Sequence, residues 1–558
     1  MSNKVLVLIL LLSLGLRVWQ INSFPSGLNA DEAALGYNAY SLLTTGKDEH
    51  GHPWPVNLES FGDFKPAGYA YLLMPFIKVL GLNEFAVRLP SAIFGILGVL
   101  GIYLLTKSLY LTPNPPPNLG EGEPIRVGEV PGLLSALLLA ISPWHLHFSR
   151  GAWETNIATT LLVIGVWLFV KWTKNTRLSY FLLSTFLFVL SMYFYQSTRL
   201  IAPVLGVGLV VLYWKDFLKE KKQLLIGTVL GVILLLPLAY SIVKTDAASR
   251  FSGVGFLADE GPLNRARELR GQHTNPNSIF VKILHFKQGE YALRLVRNYL
   301  DHFDGNFLFI NGDVIQRNKT PETGQFYLTD FLFLAIGIFF LFKTKNNRAI
   351  KIVWLWLFVS PIAAAITFQT PHALRAHNMV IPMIIIISAG FHGFFSYILN
   401  HKSYIKTICY LLFAICYIWQ FGRYLHEYYV HYPKTYPTAW EYGFKELVAY
   451  VDTVKDKYSK IWVTDKYDQP YILFLFYSKY DPKAFQSNHK LTFRDKFNFS
   501  TVRDFDKYHF ASVSWPDILK EKNTLIIASP DEVPENVQKS AQIINFPNGK
   551  PAFLIYEN

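Results

Sequence analysis

Two adjacent carboxylates, Asp31 and Glu32, open the run GLNADEAALGYNAYSLLTTGKD. Acidic groups in a first helical turn complement the helix dipole and need no further role. Neighbouring carboxylates can also split their pKa values, so that one of them serves as a base. Further on, ESFGDFKPAGYAYLLMP sets Asp63 and Lys65 ahead of Pro66. Proline at a first helical position is ordinary punctuation and predicts a helix that starts at Lys65-Pro66. The lysine is then either an anchor that snorkels to a membrane surface or, beside free backbone N–H groups, a cation suited to a phosphate. The segment SRGAWET holds Arg150 and Glu154, spaced to pair across one helical turn. YQSTR adds Arg199, and FQTPHALRAHN adds His372, Arg375 and His377. A lone histidine is more often structural than a ligand, whereas the planar guanidinium of Arg375 suits a phosphate. Together these residue types can neutralise a phosphate beside a carboxylate able to move a proton. No Walker loop, dinucleotide fingerprint or HExxH run occurs, so nucleotide hydrolysis and zinc-protease readings lack support.

The composition says what kind of element must position such groups. Of 558 residues, 51% are hydrophobic, 16% aromatic and only 17% charged. That is too apolar for an ordinary soluble chain, and it excludes disordered, collagen-like and disulfide-scaffold classes. The net charge of +13 would by itself suggest nucleic acid. Its distribution excludes that partner, because the basic residues sit in short connections between long Leu/Ile/Phe/Val runs, the pattern of a polytopic membrane protein.

A span needs about 20 mostly apolar residues, and eleven stretches qualify: 4–22, 88–106, 132–148, 156–172, 178–195, 200–214, 223–243, 327–343, 350–369, 377–399 and 404–424. The stretch 66–81, with Pro75 and Lys78 inside it, is predicted to lie at the interface instead. Lys4, Lys107, Arg126, Lys171, Lys174, Arg177, Lys215, Lys219, Lys221, Lys222, Lys343, Lys345, Arg348, Lys351, Lys402 and Lys406 then all fall in the cytoplasm, as the positive-inside rule requires. The other face receives 23–87, 149–155, 196–199, 244–326, 370–376 and everything after 425. Asp31, Glu32, Asp63, Lys65, Arg150, Glu154, Arg199, His372 and Arg375 therefore share one side and one depth, which a soluble substrate would not require.

The remaining features fit this frame. The N-terminus lacks a small-residue cleavage pattern and reads as a retained first span. Cys409 and Cys416, seven apart in one apolar run, read as small buried hydrophobes. Pro113 to Pro117 is a cytoplasmic linker. In the large loop 244–326, residues 278–300 (SIFVKILHFKQGEYALRLVRNYL) predict one amphipathic helix lying on the membrane. The tail carries a helix-like stretch (TAWEYGFKELVAYVDTVKDKY), apolar runs at 460–464, 471–477 and 524–528, and a hairpin around Asn548-Gly549. The expected architecture is mainly α: a transmembrane domain over 1–425 with about eleven helices and interfacial helices in the first outer loop, then a small α/β domain over 426–558 on the outer face.

The stretches Ala30-Asp31-Glu32, FGDFKPAGYAYL, NEFAVRLPSAIFGILGVLGIYLLTKSLY and ISPWHLHFSRGAWETN resemble the polyprenyl-phosphate-sugar-dependent glycosyltransferases of the C-type membrane fold. Within that group the chain is most similar to the protein O-mannosyltransferase and aminoarabinose-transferase branch. The resemblance is strong over residues 1–210, weaker to 425 and absent from the tail. It implies that Asp31 is the catalytic base, with Glu32 beside it, that Lys65 of the Lys-Pro pair contacts the donor phosphate, and that Arg375 is the phosphate-contacting arginine before a late span. Glu154 stands where the family commonly has Asp. The residues themselves add Arg199 to the donor-phosphate cations, with Asp63, Arg150 and His372 in support. Phe64 occupies the position of a metal-binding Glu in the aminoarabinose branch, so no residue is assigned to a metal; a divalent ion stays open as a cofactor. The sugar-binding repeat domains of eukaryotic mannosyltransferases have no room in the 244–326 loop, which favours a prokaryotic cell membrane.

The function implied is transfer of one monosaccharide from a polyprenyl phosphate to an acceptor hydroxyl of a protein, lipid or glycan on the extracytoplasmic face, with inversion. The alternative is a lipid-linked glycan transporter or binding protein without transferase activity. A transporter should show inverted repeats and polar groups at mid-membrane, and neither is visible in the sequence.

Overall fold

In the computed structural model of the chain, residues 2–110, 128–244, 255, 259–343, 347–367, 369–398, 403–493, 500–518, 520–538 and 541–557 are described. The Pro113 to Pro117 linker, Arg126, Lys345 and Lys402 lie outside the described residues. Two compact units emerge. One comprises Met1–Leu14, Gly95–Phe148 and Thr155–Arg423, and the other Gly15–Phe94, Ser149–Glu154 and Tyr424–Asn558.

The first unit is helical. Each of the eleven apolar stretches holds a helix, and six described helices are long and apolar enough to cross a membrane: Glu84–Leu109, Glu154–Asn175, Lys221–Lys244, Arg348–Ala365, His377–Ile398 and Thr407–Thr435. Some are apolar on the outside of the fold. Lys221–Lys244 exposes Val229, Val232, Ile233 and Leu236 by about half, and Ser403–His426 exposes Ile408, Leu411, Ile415, Ile418 and Trp419 by 58–71%. Such faces are unfavourable in water and favourable in hydrocarbon, where a helix satisfies its own backbone. The protein is membrane-embedded. Leu328–Lys343 and Val380–Ile398 pack most closely: a Cβ on Gly337 would lie 2.0 Å from the Ile386 carbonyl oxygen, and one on Gly390 1.9 Å from that of Phe333. Small residues at a crossing let backbones touch, the usual device for helices in lipid. Cys409 and Cys416 are unbridged and half-buried.

The second unit holds the first loop and the tail. The helix Ala30–Thr45 starts where Asn29 caps it, accepting from the Glu32 N–H at 3.0 Å, and stops at Gly46 in the left-handed region. It packs against Gly68–Leu80, which at 13 residues is about 20 Å long and too short for a hydrocarbon core of about 30 Å. Between the two helices runs a hairpin of β1 (Asn57–Ser60) and β2 (Asp63–Pro66), in register Leu58 to Lys65 and Ser60 to Asp63. Its two-residue turn, Phe61-Gly62, has positive φ at both positions, 59° and 72°, the condition of a type I′ turn.

Among its described residues the tail folds as a seven-stranded mixed sheet. Its strands are β3 (Lys460–Val463), β4 (His489–Leu491), β5 (Val502–Phe505), β6 (Tyr508–Phe510), β7 (Thr524–Ala528), β8 (Gln542–Asn545) and β9 (Pro551–Glu557), in the order β4-β5-β6-β3-β7-β9-β8. β3 runs parallel to both β6 and β7, and β7 is buried along its whole length. β8 and β9 form the hairpin expected at Asn548-Gly549.

Two local expectations are corrected. Lys65-Pro66 does not start a helix. It closes β2, and the helix begins at Gly68, because the residue before a proline prefers extended backbone and Pro66 sits at a strand end where no ladder N–H is required. The 278–300 segment is two helices, Ile279–Leu284 and Lys287–Leu300, since Phe286 is extended at φ −81° and ψ 140° between them. The run 471–477 lies in the helix Pro470–Tyr477, whereas 460–463 and 524–528 are strands.

Candidate functional site

The second unit assembles most of the candidates. Asp31 is in the first turn of Ala30–Thr45, and Lys65 is on β2, whose register against β1 is fixed by the Phe61-Gly62 turn. The Lys65 ammonium donates to Asp31 Oδ1 and lies 4.6 Å from the centroid of the Phe61 ring. The Asp31 side chain keeps 31% of its surface, Lys65 13%. Asp31 is thus a carboxylate at the edge of the unit, held in place by a cation.

Its neighbour has a different fate. Glu32 is 1% exposed and forms a bidentate pair with Arg88, whose Nε donates to Oε1 at 3.0 Å and Nη2 to Oε2 at 2.8 Å. The Ala152 N–H donates to Glu32 Oε1 at 2.7 Å. Arg88 turns its remaining donors to the carbonyls of Ile21, Pro25 and Gly27. The sequence reading missed Arg88, although an arginine inside the apolar run NEFAVRLPSAIF signals a buried partner.

Asp63 is 5% exposed and accepts from the Phe64 N–H at 2.8 Å, a turn contact. Arg150 is buried; its guanidinium donates to the Tyr428 hydroxyl and to the carbonyls of Leu16, Trp19 and Phe24, and lies over the Tyr428 and Tyr429 rings. It ties the 149–154 loop to the N-terminal segment and the tail. Glu154, buried, is the first residue of Glu154–Asn175. Phe64, between Asp63 and Lys65, offers no metal ligand.

A second group escaped the sequence reading. Glu49 is fully buried and accepts from Asn38 Nδ2 at 3.1 Å, while the Glu49 N–H donates to Asn38 Oδ1 at 2.9 Å. Burial pushes its carboxyl up to about 8, with Asp48 and Glu59 adding to the rise and the Asn38 hydrogen bond and the Lys65 charge opposing it. His50 beside it is pushed down to about 4 by burial. In KDEHGH the only signal was the density of titratable residues after a helix stop.

The other candidates belong to the helical unit. Arg375 is half-buried and donates to Thr367 Oγ1 at 2.7 Å. Arg199 donates to the Met192 carbonyl at 3.2 Å. His372 is 4% exposed, 3.9 Å from Asp313, with its backbone N–H donating to His302 Nε2. Asp313 also accepts from the Ala373 N–H, and burial raises its pKa.

The apolar helices, the two packed helices of the first loop and the mixed sheet at the end of the chain make up a fold that a solved membrane protein shares. ArnT from Cupriavidus metallidurans in the apo state shares it over 99% of this chain and 98% of its own, with a TM-score of 0.54 and 11% identity. The archaeal oligosaccharyltransferase AglB from Archaeoglobus fulgidus, in complex with an inhibitory peptide and a dolichol-phosphate, aligns with 86% of this chain at a TM-score of 0.48 and 13% identity, and the chain spans 63% of that protein's length. No family model matches the chain, and no curated protein matches it in sequence.

Proposed function

We propose that the protein is a membrane glycosyltransferase that moves one monosaccharide from a polyprenyl phosphate to an acceptor hydroxyl on the extracytoplasmic face. The observation that carries this reading is the division of labour between the two adjacent acids. Glu32 is buried and neutralised by Arg88, whereas Asp31 stays partly exposed with Lys65 on it. An exposed carboxylate paired to a lysine can exchange that partner when an anionic donor arrives. Lys65 then neutralises the phosphate, and Asp31 is released to accept a proton. The acceptor oxygen attacks C1 of the sugar as the C1–O bond to phosphate breaks, the hydroxyl proton passes to Asp31, and the phosphate leaves with the bonding pair. One attack from the far side inverts the anomeric centre. Arg199 carries the donor-phosphate assignment from residue type alone and Arg375 from residue type and resemblance, each testable by its own variant.

The test supplies purified protein with a panel of polyprenyl-phosphate hexoses and pentoses and follows by mass spectrometry which donor is consumed and what gains the mass. Consumption of one donor by the wild type, lost in Asp31→Asn with donor binding retained, is the expected result. No consumption of any donor, or an unchanged rate in Asp31→Asn, overturns the reading.

A further inference from the structure

Where the apolar helix Ser403–His426 ends, the chain makes one π-helical turn, Glu427–His431, before resuming at Tyr432–Thr435. The Tyr432 N–H reaches back five residues to the Glu427 carbonyl. In an α-helix, residues five apart point about 140° away from each other. In a π turn they share a face, so His426 and His431 come together, ring centroids 4.8 Å apart, with Glu427 between them. One ligand atom from each of the three residues lies within 4.8 Å of the others. Single π turns inside helices are rare and frequently lie at functional sites.

The inner side of the turn is fixed. Tyr424, Tyr428 and Tyr432 are each 1–2% exposed; Tyr428 receives Arg150, and the Tyr432 hydroxyl accepts from Trp440 Nε1 at 2.6 Å. The three tyrosines thus hold the backbone while the opposite side presents two exposed imidazoles and a half-buried carboxylate.

We infer that His426, Glu427 and His431 form a site for one divalent transition-metal ion of the zinc class. Two imidazoles and a carboxylate are the donor set such ions prefer over magnesium or calcium. Ligand atoms around a tetrahedral zinc stand about 3.3 Å apart, which rotation of the exposed histidine side chains supplies without moving the anchored turn. Three protein ligands leave a fourth position open. The site is separate from Asp31 and Lys65 and does not depend on the transferase reading.

The experiment titrates ZnCl2 into metal-stripped, detergent-solubilised full-length protein by calorimetry, and CoCl2 by visible absorption. Wild type is expected to bind one ion per chain, with a tetrahedral cobalt spectrum and a rise in thermal midpoint. Glu427→Gln should weaken binding more than about tenfold, since even outer-shell partners of a metal are worth that much, and His426→Gln/His431→Gln should abolish both the spectrum and the midpoint rise. His273 and His285, whose Nε2 atoms are 3.0 Å apart, provide the control. Wild type that binds no ion, a double variant that binds as wild type does, or loss of binding in His273→Gln instead overturns the inference.

Discussion

At the scale of single residues, the contrast between Asp31 and Glu32 makes two separable predictions. Asp31→Asn keeps the size and the contact with Lys65 but cannot take a proton. Transfer should fall by about 10²–10⁴-fold, the usual worth of a general base, with the thermal midpoint unchanged in a melting scan. Glu32→Gln leaves the Arg88 charge buried without a counter-charge and should destabilise the fold by about 3–5 kcal/mol, read as loss of folded protein before any effect on turnover of the surviving fraction. Glu49 adds a pH dependence. Its carboxyl is held near 8 in the folded chain, so between its ordinary carboxylate value and 8 the folded chain keeps a proton that the unfolded chain has lost. Its stabilising contribution is complete at low pH and is lost as pH rises through the folded value. Glu49→Gln removes that titration, and its melting temperature should decline less than the wild type's between about pH 6 and pH 9; identical slopes would show that Glu49 is ionised in the fold.

At the scale of elements, the hairpin β1–β2 decides where Lys65 points. A one-residue slip would turn Lys65 to the opposite face of the hairpin, so the two-residue turn sets the geometry. Gly62, at φ 72°, is the residue that permits it. Gly62→Val should cost about 1–2 kcal/mol at that position, raise the donor KM more than it lowers kcat, and increase protease cleavage near residue 62; unchanged KM and cleavage would remove the hairpin from the account. This element was hard to read in the sequence. Phe-Gly is a weaker hairpin signal than Asn-Gly, and Lys-Pro looked like a helix start because proline serves both a first helical turn and a strand end. The amphipathic pattern of 278–300 was legible, but its break at Phe286 was not, since apolar spacing carries across one extended residue.

At the scale of the whole molecule, the basic connections predict sidedness. With Cys409 and Cys416 replaced by serine, single cysteines placed at Lys174 and Lys219 should react with a membrane-impermeant maleimide only after the cells are opened, and one placed at Asn548 should react in intact cells; the reverse pattern would invert the topology. The sequence by itself determined the membrane class, the eleven helical stretches, the acidic pair and the lysine, because apolar length and charge type are local properties that lipid and water sort directly. Only the tertiary structure decided which carboxylate is available. Asp31 and Glu32 are adjacent in the chain and equal in charge, and what separates them is Arg88, fifty-six residues beyond Glu32, brought to one of them and not the other by the packing of Glu84–Tyr110 on the capped helix. Burial and pairing are set by contacts between distant segments, and these no local pattern records.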